Sequence, residues 1–462
     1  MMLQQQVGKM KRYWSISSAV AVAAVLVVVL MFMNIASQMK LSKPIPPTDP
    51  QGGATIPAAS NQHQAAGPIE CNRSHKSYDI CWINGPTLLD PNGPNIYFMG
   101  PTSPTAQVEK IRPYPRKWDI YRMSHVKEVT LGSGSGSGGR PTTPPPCRVR
   151  HNASALVFSI GGYTGDFLSD FTDEFIPLSV TLNSIFSGSG GDPVLVISNV
   201  HNWWTRKYAD LIRTLTNRPI INLDTESATH CFSSAAVGLI GVDLENPIPN
   251  SIIHFHELLQ KAYGYQHDAD QNLSGLNNRP RLVFLGRHDA VGREVLNLAH
   301  VKEVAEDEGF EVVEFNPKYS TSMRESYMLL SGSQVLVGVF GAGLIHLLMM
   351  VPAAAVVVQV VPIGAEMLAE RCFGKLAKEM KMEYMEYRIG AEESSLAEKY
   401  EKDEEMAMVV KDAEGWRKKK GGWTSEVVEM YLKQQDVRLD LVRFRVCLKA
   451  AFVKARSFMA AS

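Results

Sequence analysis

The sequence predicts an α/β protein of two lobes, carried behind a single N-terminal membrane-spanning helix and a flexible stem. Three observations predict it. Apolar, strand-like runs alternate with helical stretches, which implies parallel sheets faced with helices. An uncharged window near the N-terminus is long enough to cross a bilayer. A Pro-, Gln- and Thr-rich segment separates that window from the rest.

No Asp, Glu, Lys or Arg falls between Tyr13 and Met39, and residues 15–36 are dense in Val, Ala, Leu, Ile and Met. As a helix rising about 1.5 Å per residue, that segment spans about 33 Å, against a hydrocarbon core of about 30 Å. Lys9, Lys11 and Arg12 precede it and place residues 1–14 in the cytosol. A cleaved signal peptide is the competing reading, with Ile35-Ala36-Ser37 as its small-residue site. Signal peptides carry a shorter apolar region, about 7–15 residues. On either reading, everything beyond residue 40 is lumenal or extracellular. Residues 37–68 hold almost no large apolar side chains and form a stem.

The N-terminal, acceptor-side lobe is expected over residues 69–265. Leu156 to Ile160 reads as a strand ending at Gly161-Gly162. A helix from about Phe167 to Leu182 follows, broken or kinked at Pro177. Pro193 to Ile197 reads as a strand and Trp203 to Thr216 as a helix. The low-complexity stretch Gly132 to Pro146 is a surface loop, and the polar segment Tyr263 to Asn278 links the lobes.

The C-terminal lobe is expected over residues 280–462. Arg281 to Leu285 is a strand, and Gly292 to Glu308 a helix ended by Gly309. Phe310 to Phe315 is a strand, Tyr319 to Ser331 a helix, and Val335 to Val339 a strand. Gly341-Ala342-Gly343 opens another helix, and Ala355 to Val361 is a strand. Four buried strands with three crossovers make a doubly wound lobe. Two such lobes leave a cleft, where ligands usually bind.

The 462 residues carry 47 basic and 47 acidic side chains. Zero net charge argues against nucleic acid as a partner. There is no C-x-x-C, H-E-x-x-H or calcium-loop pattern, so no metal site is expected. Cys71, Cys81, Cys147, Cys231, Cys372 and Cys447 all lie beyond the anchor, and six thiols allow 15 pairings. Sequence leaves open whether they pair or stay buried as thiols. Three N-glycosylation sequons stand at Asn72, Asn152 and Asn272.

Several residues are candidates for chemistry. Gly341-Ala342-Gly343-Leu344 follows a buried strand and opens a helix, where backbone amides suit a phosphate. His346 stands where a dinucleotide fingerprint would need a third glycine, which disfavours a nicotinamide cofactor. Arg287 and Arg293 lie on the same edge and suit a diphosphate. Each feature has a bland alternative, a tight turn or a surface arginine. Asp166, Ser169, Asp170 and Asp173 share one helical face, where a carboxylate can act as general base or merely cap the helix. Trp203-Trp204 can stack on a sugar or fill the core. Asp268-Ala-Asp270 and the basic run Arg417 to Lys420 read as loop and solvated turn.

From about Cys71 to the C-terminus the chain resembles plant glycosyltransferase family 61, in particular its grass xylan arabinosyltransferase and xylosyltransferase group. The markers are Ile111-Arg-Pro-Tyr-Pro-Arg-Lys117, Val157-Phe-Ser-Ile-Gly-Gly-Tyr-Thr-Gly165, Trp203-Trp204 with Lys207-Tyr208, and His230-Cys-Phe232 with Val237-Gly-Leu239. They continue with Arg287, Arg293 and Asn297, Gly341-Ala-Gly-Leu344, Val358-Gln-Val-Val-Pro362, Glu393-Ser-Ser-Leu396 and Tyr431-Leu-Lys-Gln434 with Asp436-Val437. The resemblance implies a Golgi type II enzyme with two Rossmann-like lobes in the GT-B arrangement. It implies inverting transfer of a pentose, arabinofuranosyl or xylosyl, from a UDP-sugar to xylan or a related polysaccharide, with no cofactor and no obligatory metal. On this reading Asp173 is the base, with Asp170 second. Arg287, Arg293, Gly341, Ala342, Gly343, Leu344 and His346 hold the donor, and Trp203, Trp204 and Lys207 lie on the acceptor side. The expected partners are the UDP-sugar, the polysaccharide, the membrane through residues 15–36, and further Golgi glycosyltransferases in a homo- or hetero-oligomer.

This chain departs from the family pattern in five places. The family usually has Asn at Asp166, His at Ser169, His at Phe340, Thr at Ile345 and Asp at Gln334. The two replaced histidines raise a second reading, a weak or inactive paralogue acting as a scaffold in a synthase assembly.

Overall fold

The computed structural model describes residues 68–101, 108–133, 144–162, 165–187, 192–243, 248–264, 279–287 and 291–461. The tail, the anchor, nearly all of the stem, most of the linker, Asp268, Asp270 and Asn272 lie outside the described residues. Among the described residues no helix is long and apolar enough to cross a membrane.

The second half is built on one five-stranded parallel sheet. Its strands lie in the order Glu311–Phe315, Arg281–Leu285, Val335–Val339, Val356–Val361, Glu383–Arg388. Numbered along the chain, that is 2-1-3-4-5, a doubly wound order with its switch point between the first and third strands. The three central strands are almost continuously apolar because helices cover both faces. The fifth strand, Glu-Tyr-Met-Glu-Tyr-Arg, is an edge strand, and its alternating charges gave no strand signal in the sequence.

Two helix starts differ from expectation. The helix expected from Gly292 begins at Leu298. Residues 292–297 instead run beside 433–439, with Arg293 N–H donating to Gln435 O at 2.6 Å and Leu296 N–H to Val437 O at 2.8 Å. Gly292 takes φ +67°, and a Cβ there would lie 1.9 Å from Lys433 O, so only glycine allows this approach. The helix expected from Tyr319 begins at Met323, where Ser322 and Glu325 form a reciprocal capping box. After Gly341 the chain forms a 3₁₀ helix, Ala342–Met349.

The first half carries two six-stranded sheets rather than one. In the first, Ala235–Val237, Ala155–Ser159, Val194–Ser198 and Ile221–Asn222 are parallel, and Ile69–Asn72 and Ile80–Ile83 extend them antiparallel. The second is mixed and includes Thr87–Asp90, Asn95–Phe98 and Val129–Ser133. A separate core, with Ile83, Leu89, Ile96, Val129, Val157 and Val196 among its members, joins strands of both sheets. A larger core is continuous from Leu156 to Ala455.

Pro177 does not break its helix. The helix runs from Phe167 to Ile185 with a π-helical segment at Asp170–Phe175, and Pro177 sits in the first turn after it. There its missing N–H costs little. The helix expected from Trp203 to Thr216 divides at Tyr208 into Asn202–Lys207 and Ala209–Leu215.

Cys71–Cys81 and Cys147–Cys231 are disulfides, and Cys372 and Cys447 are free. Cys71 and Cys81 face each other across an antiparallel pair. The second bridge spans 84 residues against 10 for the first. On the chain-entropy account that is worth about 4–5 kcal/mol against about 3 kcal/mol. Asn72 and Asn152 are exposed.

Candidate active site

A cavity of about 320 Å³ opens at the carboxyl ends of the parallel strands of the second half. Gly286 and Arg287 follow the first strand, Asn316 to Tyr319 the second, and Ala342 and Gly343 the third. This is the switch point, where the loops of neighbouring strands diverge and leave room for a ligand. The first half closes the opposite wall with Gly165, Phe167, Asp170, Trp203 and Lys207.

Two guanidinium groups stand at the strand-end side. Arg287 lines the cavity, and its Nε donates to Gly292 O at 3.3 Å. Arg293 lies behind it, buried, with Nη1 donating to Phe340 O at 2.9 Å. Burial lowers both arginine pKa values, and that of Arg293, pressed further by Arg287, falls to about 9. Arg293 Nε finds no acceptor among the described residues. A Cβ on Gly341 would lie 2.7 Å from Arg287 Nη1 and 3.4 Å from Arg293 Nη1, so the missing side chain makes room for the pair. No Cβ contact limits Gly343, and Leu344 is buried in the core.

Asp170 is the carboxylate on the opposite wall. Tyr208 donates its hydroxyl to Oδ2 at 2.7 Å, and Gly165 N–H donates to Oδ1 at 3.0 Å. Burial raises the Asp170 pKa to about 6, against the pull of those two hydrogen bonds. Burial also raises Asp166, the helix N-cap, to about 6. Asp173, expected on the same face, is turned to different partners. Arg116 meets its Oδ1 at 2.7 Å, and Tyr114 donates to its Oδ2 at 3.2 Å. The π segment widens the turn between the two aspartates and separates their surroundings.

His346 lines the cavity wall, with Nδ1 2.7 Å from Gly343 O and its ring stacked on Phe167 at 4.4 Å. Burial lowers its pKa to about 4, so it is neutral at ordinary pH. Lys207 donates to Tyr319 O at 3.2 Å and lies over the rings of Phe167 and Tyr319. Trp203 meets Tyr319 edge-on at 5.1 Å. Trp204, expected on the acceptor side, is in the core instead. It stacks on Phe175 at 5.0 Å and donates Nε1–H to Glu174 at 2.8 Å. Burial, with Asp170 nearby, raises Glu174 well above the usual carboxylate range.

The two replaced histidines are also buried. Phe340 packs edge-on against Phe373 at 5.9 Å and contributes its backbone oxygen, not its ring, to Arg293. Ser169 has a hydroxyl with no partner among the described residues. Sequence reasoning missed Tyr319, Phe167 and the role of Tyr208. The signal for Tyr319 was its place just past a strand end, in the polar loop Asn316-Pro-Lys-Tyr319.

A family model described as Glycosyltransferase 61 matches residues 192–357. The chain is 31% identical over 401 residues to alpha-1,3-arabinosyltransferase XAT3 of Oryza sativa subsp. japonica, covering 85% of this chain and 66% of that relative. It is 32% identical over 410 residues to xylan glycosyltransferase MUCI21 of Arabidopsis thaliana, covering 84% and 80%. It is 33% identical over 408 residues to beta-1,2-xylosyltransferase XYXT1 of Oryza sativa subsp. japonica, covering 83% of each. The chain thus spans about two-thirds of the length of the first relative.

Proposed function

The chain belongs to the glycosyltransferase 61 family, and from that premise we propose that it is an inverting, UDP-sugar-dependent pentosyltransferase acting on xylan or a related polysaccharide. The observation that carries the reading is that Asp170 and Arg287 line one cavity, with the buried Arg293 guanidinium behind Arg287 at Gly341. The relatives, named for arabinosyl and xylosyl transfer, support a pentose and a xylan acceptor. The two halves act as the lobes of a GT-B enzyme. Residues 15–36 anchor it as a Golgi type II protein, and the two disulfides support a lumenal setting.

The acceptor hydroxyl attacks the anomeric carbon from the face opposite the diphosphate. The new C–O bond forms as the bond to the diphosphate oxygen breaks, and the electron pair leaves with the diphosphate. Asp170 takes the hydroxyl proton. Arg287, Arg293 and the amides around Gly341 to Gly343 stabilise the charge that develops on the leaving group. Two guanidinium groups supply that charge stabilisation themselves, so no divalent cation is required. The Phe340 backbone oxygen accepts from Arg293, a contact that does not depend on the side chain at this position, so the assay below decides between an active enzyme and a scaffold.

The full chain, assayed with UDP-arabinofuranose and UDP-xylose against xylo-oligosaccharides, is expected to form product from one donor, with or without chelator. A folded chain that binds UDP yet forms no product would shift the reading to the scaffold.

The base role of Asp170 sets a pH profile. Its pKa near 6 in the unliganded protein means that kcat/KM rises through about pH 6 and levels above it. Tyr208→Phe removes a hydrogen bond to the ionised form. Such a bond is worth about 1.5–3 kcal/mol, so the acid limb is expected to move up by about 1–2 pH units. An acid limb that stays in place would remove Asp170 from the role of base.

A further inference from the structure

With Asp170 as base, the sugar that carries the attacking hydroxyl must lie beside Asp170, and no group in that mechanism holds it there. Three aromatic side chains other than His346 line the cavity, Phe167, Trp203 and Tyr319. Phe167 is occupied: it stacks on His346 at 4.4 Å, meets Phe171 edge-on at 4.8 Å and has the Lys207 ammonium 5.5 Å from its centroid. Trp203 is half-buried and packs against Gly165, where a Cβ would lie 3.6 Å from its ring. Tyr319 is 58% exposed.

Tyr319 comes from the second half, yet its ring contacts are with the first. Lys207 lies over the ring, 5.0 Å from its centroid, and donates to the Tyr319 backbone oxygen at 3.2 Å. Trp203 stands edge-on at 5.1 Å. The turn that presents Tyr319 is closed on itself. Lys318 N–H donates to Thr321 Oγ1 at 2.9 Å, and Thr321 N–H donates to Lys318 O at 3.0 Å. Ser322 then caps the next helix. With one ring face under the ammonium and more than half of the residue exposed, the opposite face is open, and it is fixed before any ligand arrives. Asp170 is near enough to act on the phenol, since its charge adds to burial in raising the Tyr319 pKa.

We propose that Tyr319 is the acceptor platform of this site: its open ring face stacks on the C–H face of the sugar whose hydroxyl reacts and turns that hydroxyl towards Asp170. The inference rests on the glycosyltransferase reading and deepens it, by assigning an acceptor contact to the half that holds the donor. The chemistry suits a neutral pyranose. Its ring C–H groups offer an apolar face to the aromatic ring, and its edge hydroxyls need polar partners, of which the Asp170 carboxylate is one. Because the turn is already closed, little ordering opposes binding. A uracil ring would stack on a phenol too. The contacts of Tyr319 with Lys207 and Trp203, on the wall that carries Asp170 and opposite Arg287, favour the acceptor sugar.

The test uses the full chain and the variants Tyr319→Ala and Tyr319→Phe. Tyr319→Ala removes the ring and keeps the backbone oxygen that Lys207 bonds. Saturation-transfer NMR with xylotriose, in the presence of UDP, reads acceptor binding without any need for turnover. Tyr319→Ala is expected to bind xylotriose about ten-fold more weakly, as for truncation of an aromatic hot spot, and Tyr319→Phe to stay within about two-fold of wild type. In transfer assays KM for xylotriose rises about ten-fold in Tyr319→Ala, while KM for the UDP-sugar and the thermal shift given by UDP stay as in wild type. Equal xylotriose binding by Tyr319→Ala and wild type, or a wild-type chain that does not bind xylotriose, would overturn the proposal. So would a loss confined to the UDP shift and the donor KM, which would hand the ring to the uracil. If wild type binds xylotriose and Tyr319→Ala does not, yet no pentose donor gives product, the platform stands and the enzymatic reading fails. If product forms equally well in both, the enzymatic reading stands and the platform fails.

Discussion

Asp170→Asn is expected to lower kcat about 10²–10⁴-fold, the usual contribution of a positioned general base. Donor binding should survive, because Asp170 stands on the wall opposite Arg287. The variant also disturbs two hydrogen bonds, since an amide cannot accept from both Tyr208 and Gly165 as the carboxylate does. A modest stability cost, about 1–3 kcal/mol, should accompany the lost turnover. Single-turnover rates, read beside thermal unfolding with and without UDP, separate the two effects. Asp173→Asn is the contrasting case. It removes the partner of Arg116 and Tyr114, so its main effect should be on stability, with a smaller loss of kcat. If Asp173→Asn loses turnover more steeply than Asp170→Asn while folded and UDP-bound, the roles of the two carboxylates are exchanged.

The choice between these aspartates shows where sequence pattern reached its limit. Spacing at i, i+3, i+4 and i+7 puts residues 166, 169, 170 and 173 on one face of an α-helix. The π segment at 170–175 changes that count, and nothing in Asp-Phe-Thr-Asp-Glu-Phe signals it locally. The second half was more legible. Val335 to Val339 and Val356 to Val361 are buried on both faces, so their composition alone marks a parallel sheet. The helix start at Leu298 was misplaced for a long-range reason, whereas the one at Met323 carries a local signal, the Ser322–Glu325 capping box. Residues 292–297 pair with 433–437, more than a hundred positions away, and no local window contains that partner. The four strands between Ile69 and Phe98 have four residues each, too short to show a period. Trp203 and Trp204 are adjacent and chemically alike, and only tertiary packing sends one to the cavity and the other into the core.

Arg293→Met is the second large expected effect, because the unliganded fold holds this residue under unfavourable conditions. Its backbone φ is +61°, a left-handed conformation that costs about 1–3 kcal/mol for a residue with a side chain. Its guanidinium is buried beside a second one, and Nε lacks an acceptor among the described residues. Methionine keeps much of the volume and removes the charge. Replacing buried charge with packed apolar atoms is often neutral or stabilising by about 1–4 kcal/mol, and the lost bond to Phe340 O offsets about 1 kcal/mol of that. The unliganded variant should therefore melt no lower than wild type. Transfer should fall about 10²–10³-fold, as when one donor to a developing anion is removed. UDP at about 100 times its Kd stabilises a binding-competent chain by about 2.7 kcal/mol, and the variant should lose most of that shift at the same concentration. Thermal unfolding with and without UDP checks both halves of this expectation. An unliganded variant that melts far lower, with its UDP shift intact, would make Arg293 a structural residue and leave the diphosphate to Arg287 and the amides around Gly341.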